Sequence, residues 1–223
     1  MRIIILHGWG HSAELWRGIA QKLERFGSAE VWDLPGFGNE PLVSAEWGIG
    51  DYADWVSEKI GESSDDIILI GHSFGGRVAS LLASRKPLYL RAIVLIGAPC
   101  IYRPSMMIQL KSAIASFVKP IVPASIRRML ITEDLRSAED SGIGRVFRNA
   151  VTNDQTNSLP MISVPTFLLW GENDDAAPVS IAKEIQTLIP GSVLTVLPGI
   201  GHNVHIDNPI LTYGAIERFL ETL

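Results

Sequence analysis

Cysteine is almost missing from this chain: Cys100 stands alone among 223 residues. One cysteine excludes an internal disulfide framework and fits a reducing compartment. Runs long enough to cross a bilayer are missing too, because the longest apolar stretches are strand-length and broken by His, Gly or Pro. The opening Ile3-Ile4-Ile5-Leu6 is too short for a secretory signal core and no small-residue cleavage site follows it, so a cytoplasmic protein is expected. No Cys/His spacing of the metal-binding kind is present, and no internal repeat or low-complexity tract. Charge is sparse at 19% of residues, and the net value of −5 argues against nucleic acid as a partner. What the chain does have is a 47% hydrophobic content, enough for one sizeable core with room for an insertion.

Short β-rich apolar runs alternate with helical patterns, the mark of an α/β fold with a doubly wound, mostly parallel sheet. Six strands are expected, at Arg2 to Leu6, Ala29 to Trp32, Asp66 to Ile70, Ala92 to Ile96, Thr166 to Trp170 and Val193 to Leu197. Most are nearly continuous Ile, Val and Leu, as strands covered on both faces should be. Leu15, Trp16, Ile19, Leu23 and Phe26 recur at helical spacing, with Ser12 as the expected N-cap and Gly27 beyond the end. Further helices are expected over Asp51 to Ile60, Phe74 to Arg85, Val179 to Ile189 and Ile210 to Leu220.

The alternation stops between about Pro99 and Pro160. Met106, Met107, Leu110, Ile114 and Phe117 keep a helical rhythm there, which Pro120 and Pro123 interrupt. This reads as a small helical cap (99–160) inserted into a core made of 1–98 and 161–223. The cap holds eight Lys/Arg against five Asp/Glu, a net +3 in a chain that is negative overall. The plain reading of that excess is a solvated helix face. The sharper one is a dock for an acidic partner, such as an acyl-carrier protein.

Chemistry concentrates at Gly71-His72-Ser73-Phe74-Gly75-Gly76, directly after Ile67-Ile68-Leu69-Ile70. Strand, then G-x-S-x-G, then helix is how a serine hydroxyl is held exposed on a tight turn. A serine is a poor nucleophile without a base and donors for the developing oxyanion. An acid and a histidine follow in chain order. Asp174 and Asp175 lie in the loop after the strand ending at Trp170, and the Gly171-x-x-Asp register favours Asp174. His202 and His205 follow the strand ending at Leu197, and the Gly201-His202 context favours His202. Both loops fall at carboxyl ends of parallel strands, where open α/β sheets hold their sites. His7 and Asp33 read as loop-holding residues, His72 as a shaper of the serine turn, and Cys100 as a small buried residue.

Together with His7-Gly8-Trp9-Gly10 after the first strand and Asp33-Leu34-Pro35-Gly36-Phe37-Gly38 after the second, these motifs make the chain resemble a serine α/β-hydrolase. The first and second of these motifs are also similar to those of pimeloyl-acyl-carrier-protein methyl ester esterases. The resemblance implies Ser73 as nucleophile, His202 as base, Asp174 as its orienting acid, and the backbone N–H groups of Trp9 and Phe74 as oxyanion donors. It implies no metal, flavin or nucleotide. Such proteins usually begin with two antiparallel strands that this sequence lacks. The sheet should therefore have six strands instead of eight, with Ala29 to Trp32 near a poorly protected edge that could pair with another copy.

The expected activity is that of a carboxylesterase on small or medium apolar esters. C–C bond, lactone and thioester hydrolysis use the same residues and stay open. Epoxide hydrolase and dehalogenase chemistry is disfavoured, because those relatives carry Asp where this chain has Ser73. A ligand-binding receptor or scaffold with negligible turnover is the rival from another class.

Overall fold

The computed structural model describes residues 1–62, 66–103 and 142–223. Six parallel strands make one sheet in the order β2-β1-β3-β4-β5-β6. They are β1 (Arg2–Leu6), β2 (Ser28–Trp32), β3 (Ile67–His72), β4 (Leu90–Ile96), β5 (Thr166–Gly171) and β6 (Val193–Leu197). Alternation along the central strands divides their apolar side chains between two cores. Ile4, Leu6, Leu69, Ile93 and Leu95 face one side, packing with Tyr52, Val56, Val78 and Leu82 of helices α2 (Ile49–Ile60) and α3 (Phe74–Ser84). Ile3, Ile5, Ile68, Ile70 and Val94 face the other, against Ile19 and Leu23 of α1 (Arg17–Leu23) and Ile216 and Leu220 of α7 (Pro209–Leu220). Each such fully buried Ile or Leu contributes roughly 1.5–3 kcal/mol, and this explains why the strands read as unbroken hydrophobic runs.

After β1 the chain crosses to β2 on one side, then returns past β1 to β3 on the other. This reversal opens a crevice between the carboxyl ends of β1 and β3, where Leu6 pairs with Gly71. Open α/β sheets bind ligands at such a switch point. The edge strand β2 is the expected one, and charge blunts it: the Glu30 carboxylate takes a hydrogen bond from the Arg2 guanidinium at 2.6 Å and another from Trp32 Nε1 at 2.9 Å.

The first helical segment departs from its expected form. A 3₁₀ turn over Ala13–Trp16, helix α1 and a second 3₁₀ turn over Glu24–Phe26 replace one continuous helix, and Leu15 is exposed. Ser12 has the extended backbone of an N-cap but its side chain makes no capping bond. Asp33 does that work from the loop after β2, its Oδ1 accepting from Ala13 N–H at 2.7 Å.

Of the expected cap, Met106, Met107, Leu110, Ile114 and Phe117 lie outside the described residues. The described part holds α4 (Gly144–Thr152) and a 3₁₀ turn over Leu159–Met161. Asn149 Nδ2 donates to the carbonyls of Glu46 and Trp47, tying α4 to the loop before α2. Cys100, Val146 and Leu159 are buried in the same core as the sheet, as the reading of Cys100 required. Helix α5 (Val179–Leu188) and the short α6 (Val204–Asp207) complete the described elements. Among the described residues no helix is long and apolar enough to cross a membrane.

Candidate active site

Ser73 sits between β3 and α3 with φ 48° and ψ −107°, one of two non-glycine residues among those described with positive φ. Such a conformation costs a non-glycine residue about 1–3 kcal/mol and persists only where the surroundings enforce it. Gly75 supplies much of that enforcement. A Cβ there would stand 2.4 Å from the Leu6 carbonyl oxygen, so only glycine lets α3 begin hard against β1. The serine N–H donates to the Ile96 carbonyl at 2.8 Å, which fixes the turn to β4 as well.

Ser73 Oγ lies 3.0 Å from His202 Nε2, and His202 Nδ1 lies 2.8 Å from Asp174 Oδ2. Three chain-distant residues thus form one hydrogen-bonded line. Of the paired candidates, Asp174 and His202 are the ones in it. The Asp174 side chain is wholly buried, whereas Asp175 is exposed. The other oxygen of Asp174 accepts from Ala177 N–H at 2.7 Å, and the Ala177 carbonyl accepts from Trp170 Nε1 at 2.6 Å. The aromatic end of β5 therefore anchors the acid loop. That loop is tied in turn to the histidine loop, through Glu172 accepting from Gly199 N–H at 2.8 Å and Asn173 N–H donating to Ile200 at 2.9 Å.

The supporting residues take the places expected of them. His7 Nδ1 lies 2.7 Å from the Gly8 carbonyl, while Nε2 accepts from Leu34 N–H at 3.0 Å. An acceptor at Nε2 fixes the proton on Nδ1, and burial, the largest influence, pushes the imidazole below its ordinary value. Asp33 takes Asn39 N–H at 2.9 Å as well as Ala13 N–H, the work of a turn carboxylate. His72 Nε2 is 3.1 Å from the His202 carbonyl, joining the serine turn to the histidine loop.

A cleft of about 490 Å³ opens over Ser73 and His202. Trp9, Phe74, Phe147, Ile101 and Ile181 give it an apolar wall, and the Trp9 ring meets Phe74 and Phe147 edge-on at 5.3 and 5.0 Å. Phe74 is the first residue of α3, a position whose N–H has no acceptor within its own helix. Arg77, one turn beyond Ser73, also lines the cleft although it is buried, and it donates to the Asn153 carbonyl at 2.9 Å.

Residues 3–214 match the model of the alpha/beta hydrolase family. The chain belongs to that family. Within the alpha/beta hydrolases it is 26% identical to the pimeloyl-[acyl-carrier protein] methyl ester esterase of Aeromonas salmonicida, over 93% of this chain and 90% of that protein. Among solved structures, a thermophilic esterase from Thermogutta terrifontis matches with a TM-score of 0.77 at 21% identity, covering 100% of this chain and 90% of that one. A bromoperoxidase from Bacillus anthracis also reaches 0.77, at 19% identity over 99% and 91%. Alpha/beta hydrolases as far apart as these two share the fold, so chemistry has to be argued from the site.

Sequence reasoning missed two features. Gly97, after β4, has φ +50°, and a Cβ on it would stand 3.2 Å from both Asp174 Oδ2 and His202 Nδ1. Its backbone closes against the acid–histidine pair, and only a glycine after a strand hinted at it. The second is a meeting of His11, His72 and His205, which no local spacing signals. His205 stacks on Trp16 with ring centroids 4.2 Å apart. Burial, then the neighbouring His11 and His202, pushes its imidazole down to about 3. Burial likewise holds His72 well below the ordinary histidine value.

Proposed function

We propose that this alpha/beta hydrolase is a serine carboxylesterase acting on esters with a small or medium apolar acyl group. The observation that carries the reading is the line Ser73 Oγ–His202 Nε2–His202 Nδ1–Asp174 Oδ2, at 3.0 and 2.8 Å, starting from a strained serine. His202 in its Nδ1–H form donates to Asp174 and accepts the serine proton at Nε2. Ser73 Oγ then bonds to the substrate carbonyl carbon, and the carbonyl oxygen takes the negative charge. The backbone N–H groups of Trp9 and Phe74 are the donors we assign to that oxyanion. Collapse breaks the ester C–O bond, and the leaving alkoxide takes the proton from His202. Water, giving a proton to His202, attacks the acyl-enzyme and releases the acid with Ser73 restored.

The aromatic and aliphatic wall of the cleft supports an apolar acyl chain or small aromatic over a sugar. Of the segment 99–160 that we assign to a cap, Ile101, Phe147 and Ala150 are among the described residues that line this cleft. The acyl-carrier protein in the name of the Aeromonas relative and the basic excess of that segment support a carrier-bound ester as one form of the substrate.

Hydrolysis of p-nitrophenyl esters of increasing chain length by the wild type and by Ser73→Ala tests the reading. Turnover should fall on the order of 10⁶-fold in the variant, the scale set by a serine protease. Equal rates for the two proteins would end the assignment. Labelling by a fluorophosphonate, expected for the wild type alone, reports an activated serine whatever the natural ester.

A further inference from the structure

Behind the serine turn, three imidazoles from separate elements converge: His11 from the loop after β1, His72 from the last position of β3, and His205 from α6. One ligand-capable nitrogen from each lies within 4.8 Å of those of the other two. His72 and His205 are 1% and 3% exposed, yet His72 Nδ1 and both nitrogens of His205 have no hydrogen-bond partner. Because His72 Nε2 faces the His202 carbonyl oxygen, that nitrogen carries the proton and donates. Nδ1 is then a bare lone pair, buried with nothing to accept from. Buried polar atoms of this kind are rare in folded proteins and call for an explanation.

We propose that His11, His72 and His205 form a site for a divalent transition-metal ion, with Zn²⁺ the best match. Imidazole nitrogens suit Zn²⁺, Co²⁺, Ni²⁺ and Cu²⁺, whereas Mg²⁺ and Ca²⁺ take oxygen donors. Zn–N bonds of about 2.0–2.1 Å set tetrahedral ligand atoms about 3.3 Å apart, so the rings need to close by no more than roughly 1.5 Å. Burial keeps His72 and His205 in the neutral form that ligates. Two further contacts resemble the outer shell of a metal site. The His72 donor bond to the His202 carbonyl fixes its tautomer, and the Trp16 stack fixes the His205 ring. His11 is only half buried and lines the cleft beside His72, which gives an ion its path inward. A bound ion would clamp the serine turn to the histidine loop through His72. The site is separate from the Ser73–His202–Asp174 line and does not depend on the esterase reading.

The test is calorimetric titration of the tag-free, chelator-stripped protein with ZnCl₂, paired with thermal unfolding and with the visible absorption of Co²⁺. Wild type should take up one equivalent, show tetrahedral Co²⁺ absorption and unfold at a higher temperature when loaded. His11→Asn, at a half-buried position, and His205→Phe, which keeps a flat ring on Trp16, should each weaken binding at least tenfold and abolish the Co²⁺ bands. If His205→Phe fails to fold, His11→Asn alone decides. No stoichiometric uptake by wild type, or undiminished uptake by a folded variant, overturns the proposal and leaves the cluster as a pocket for ordered water.

Discussion

His202 and His205 belong to the same turn of chain and have opposite surroundings. Both nitrogens of His202 are engaged, one by Asp174 and one by Ser73. Neither nitrogen of His205 is, although that ring is the more deeply buried of the two. The first histidine is the middle member of a line that the protein completes from its own side chains. The second belongs to a group that its own side chains leave incomplete. Under the function we propose, the completed line works by moving a proton, so deleting a member should cost turnover. An incomplete group should reveal itself through what it binds. His72 lies between them, its Nε2 turned to the first, its Nδ1 without a partner, and its ring centroid 4.6 Å from that of the second.

Breaking the completed line at its buried end should give the largest effect after loss of Ser73 itself. Asp174→Asn keeps the shape of the side chain but removes the charge and offers a donor where His202 needs an acceptor. A fall in kcat on the order of 10⁴-fold is expected from the equivalent change in serine proteases, with KM little altered. Asp175→Asn, at the exposed neighbour, should stay within a few-fold of wild type. Steady-state kinetics on a p-nitrophenyl ester decides between them. A deficit in Asp175→Asn as large as that in Asp174→Asn would mean that the buried contact is not the working one.

A smaller effect is expected from pressing on the line without removing any member. Gly97→Ala introduces a Cβ about 3.2 Å from both Asp174 Oδ2 and His202 Nδ1, at a φ of +50° that costs an L-residue about 1–2 kcal/mol. Displacement of a catalytic pair by a fraction of an ångström to one ångström can cost up to about 10²-fold. We expect kcat to fall by ten- to a hundred-fold, with a thermal midpoint lowered by only a few degrees. Full activity in the variant would show that the pair tolerates the intrusion and that Gly97 answers only to its own backbone.

The two halves of this comparison were not equally legible in the sequence. The serine turn is written in consecutive residues, an Ile-rich strand, Gly71 to Gly76 and an apolar helix face, and each obeys a local rule. Asp174 and His202 were readable because each stands in a short loop just past a strand. The strands themselves were readable to within two residues at either end, since burial on both faces demands unbroken Ile, Val and Leu. The histidine cluster obeys no local rule. It exists because the sheet order sets β1 beside β3 and because α6 packs back toward the 3₁₀ turn that holds Trp16. The break in the first helix escaped for the same reason. Its cap comes from Asp33, beyond the next strand, and the pattern around Ser12 carries no trace of it.

His7 offers the finest test of what partnering does for a buried imidazole. It is as buried as His205, but Nδ1–H donates to Gly8 and Nε2 accepts from Leu34 N–H. Protonation would set two N–H groups face to face at Nε2, and burial already holds the folded-state value below 6.5. In the unfolded chain His7 titrates near its ordinary value of about 6.5. As pH falls through that point the unfolded state takes the proton first. The stability that neutral His7 contributes is therefore complete above about pH 6.5 and is lost as pH drops toward the folded value. His7→Gln can still donate and accept but cannot titrate. Urea unfolding at pH 8, 6.5 and 5.5 should find the variant less stable at pH 8. The gap to wild type should then close by up to about 1.4 kcal/mol for each unit below 6.5. The other histidines titrate alike in both proteins, so the difference isolates this one. A gap that stays constant with pH would mean that folded His7 takes up a proton as readily as the unfolded chain does. The bond from Leu34 would then not hold the loop after β2 against the loop after β1.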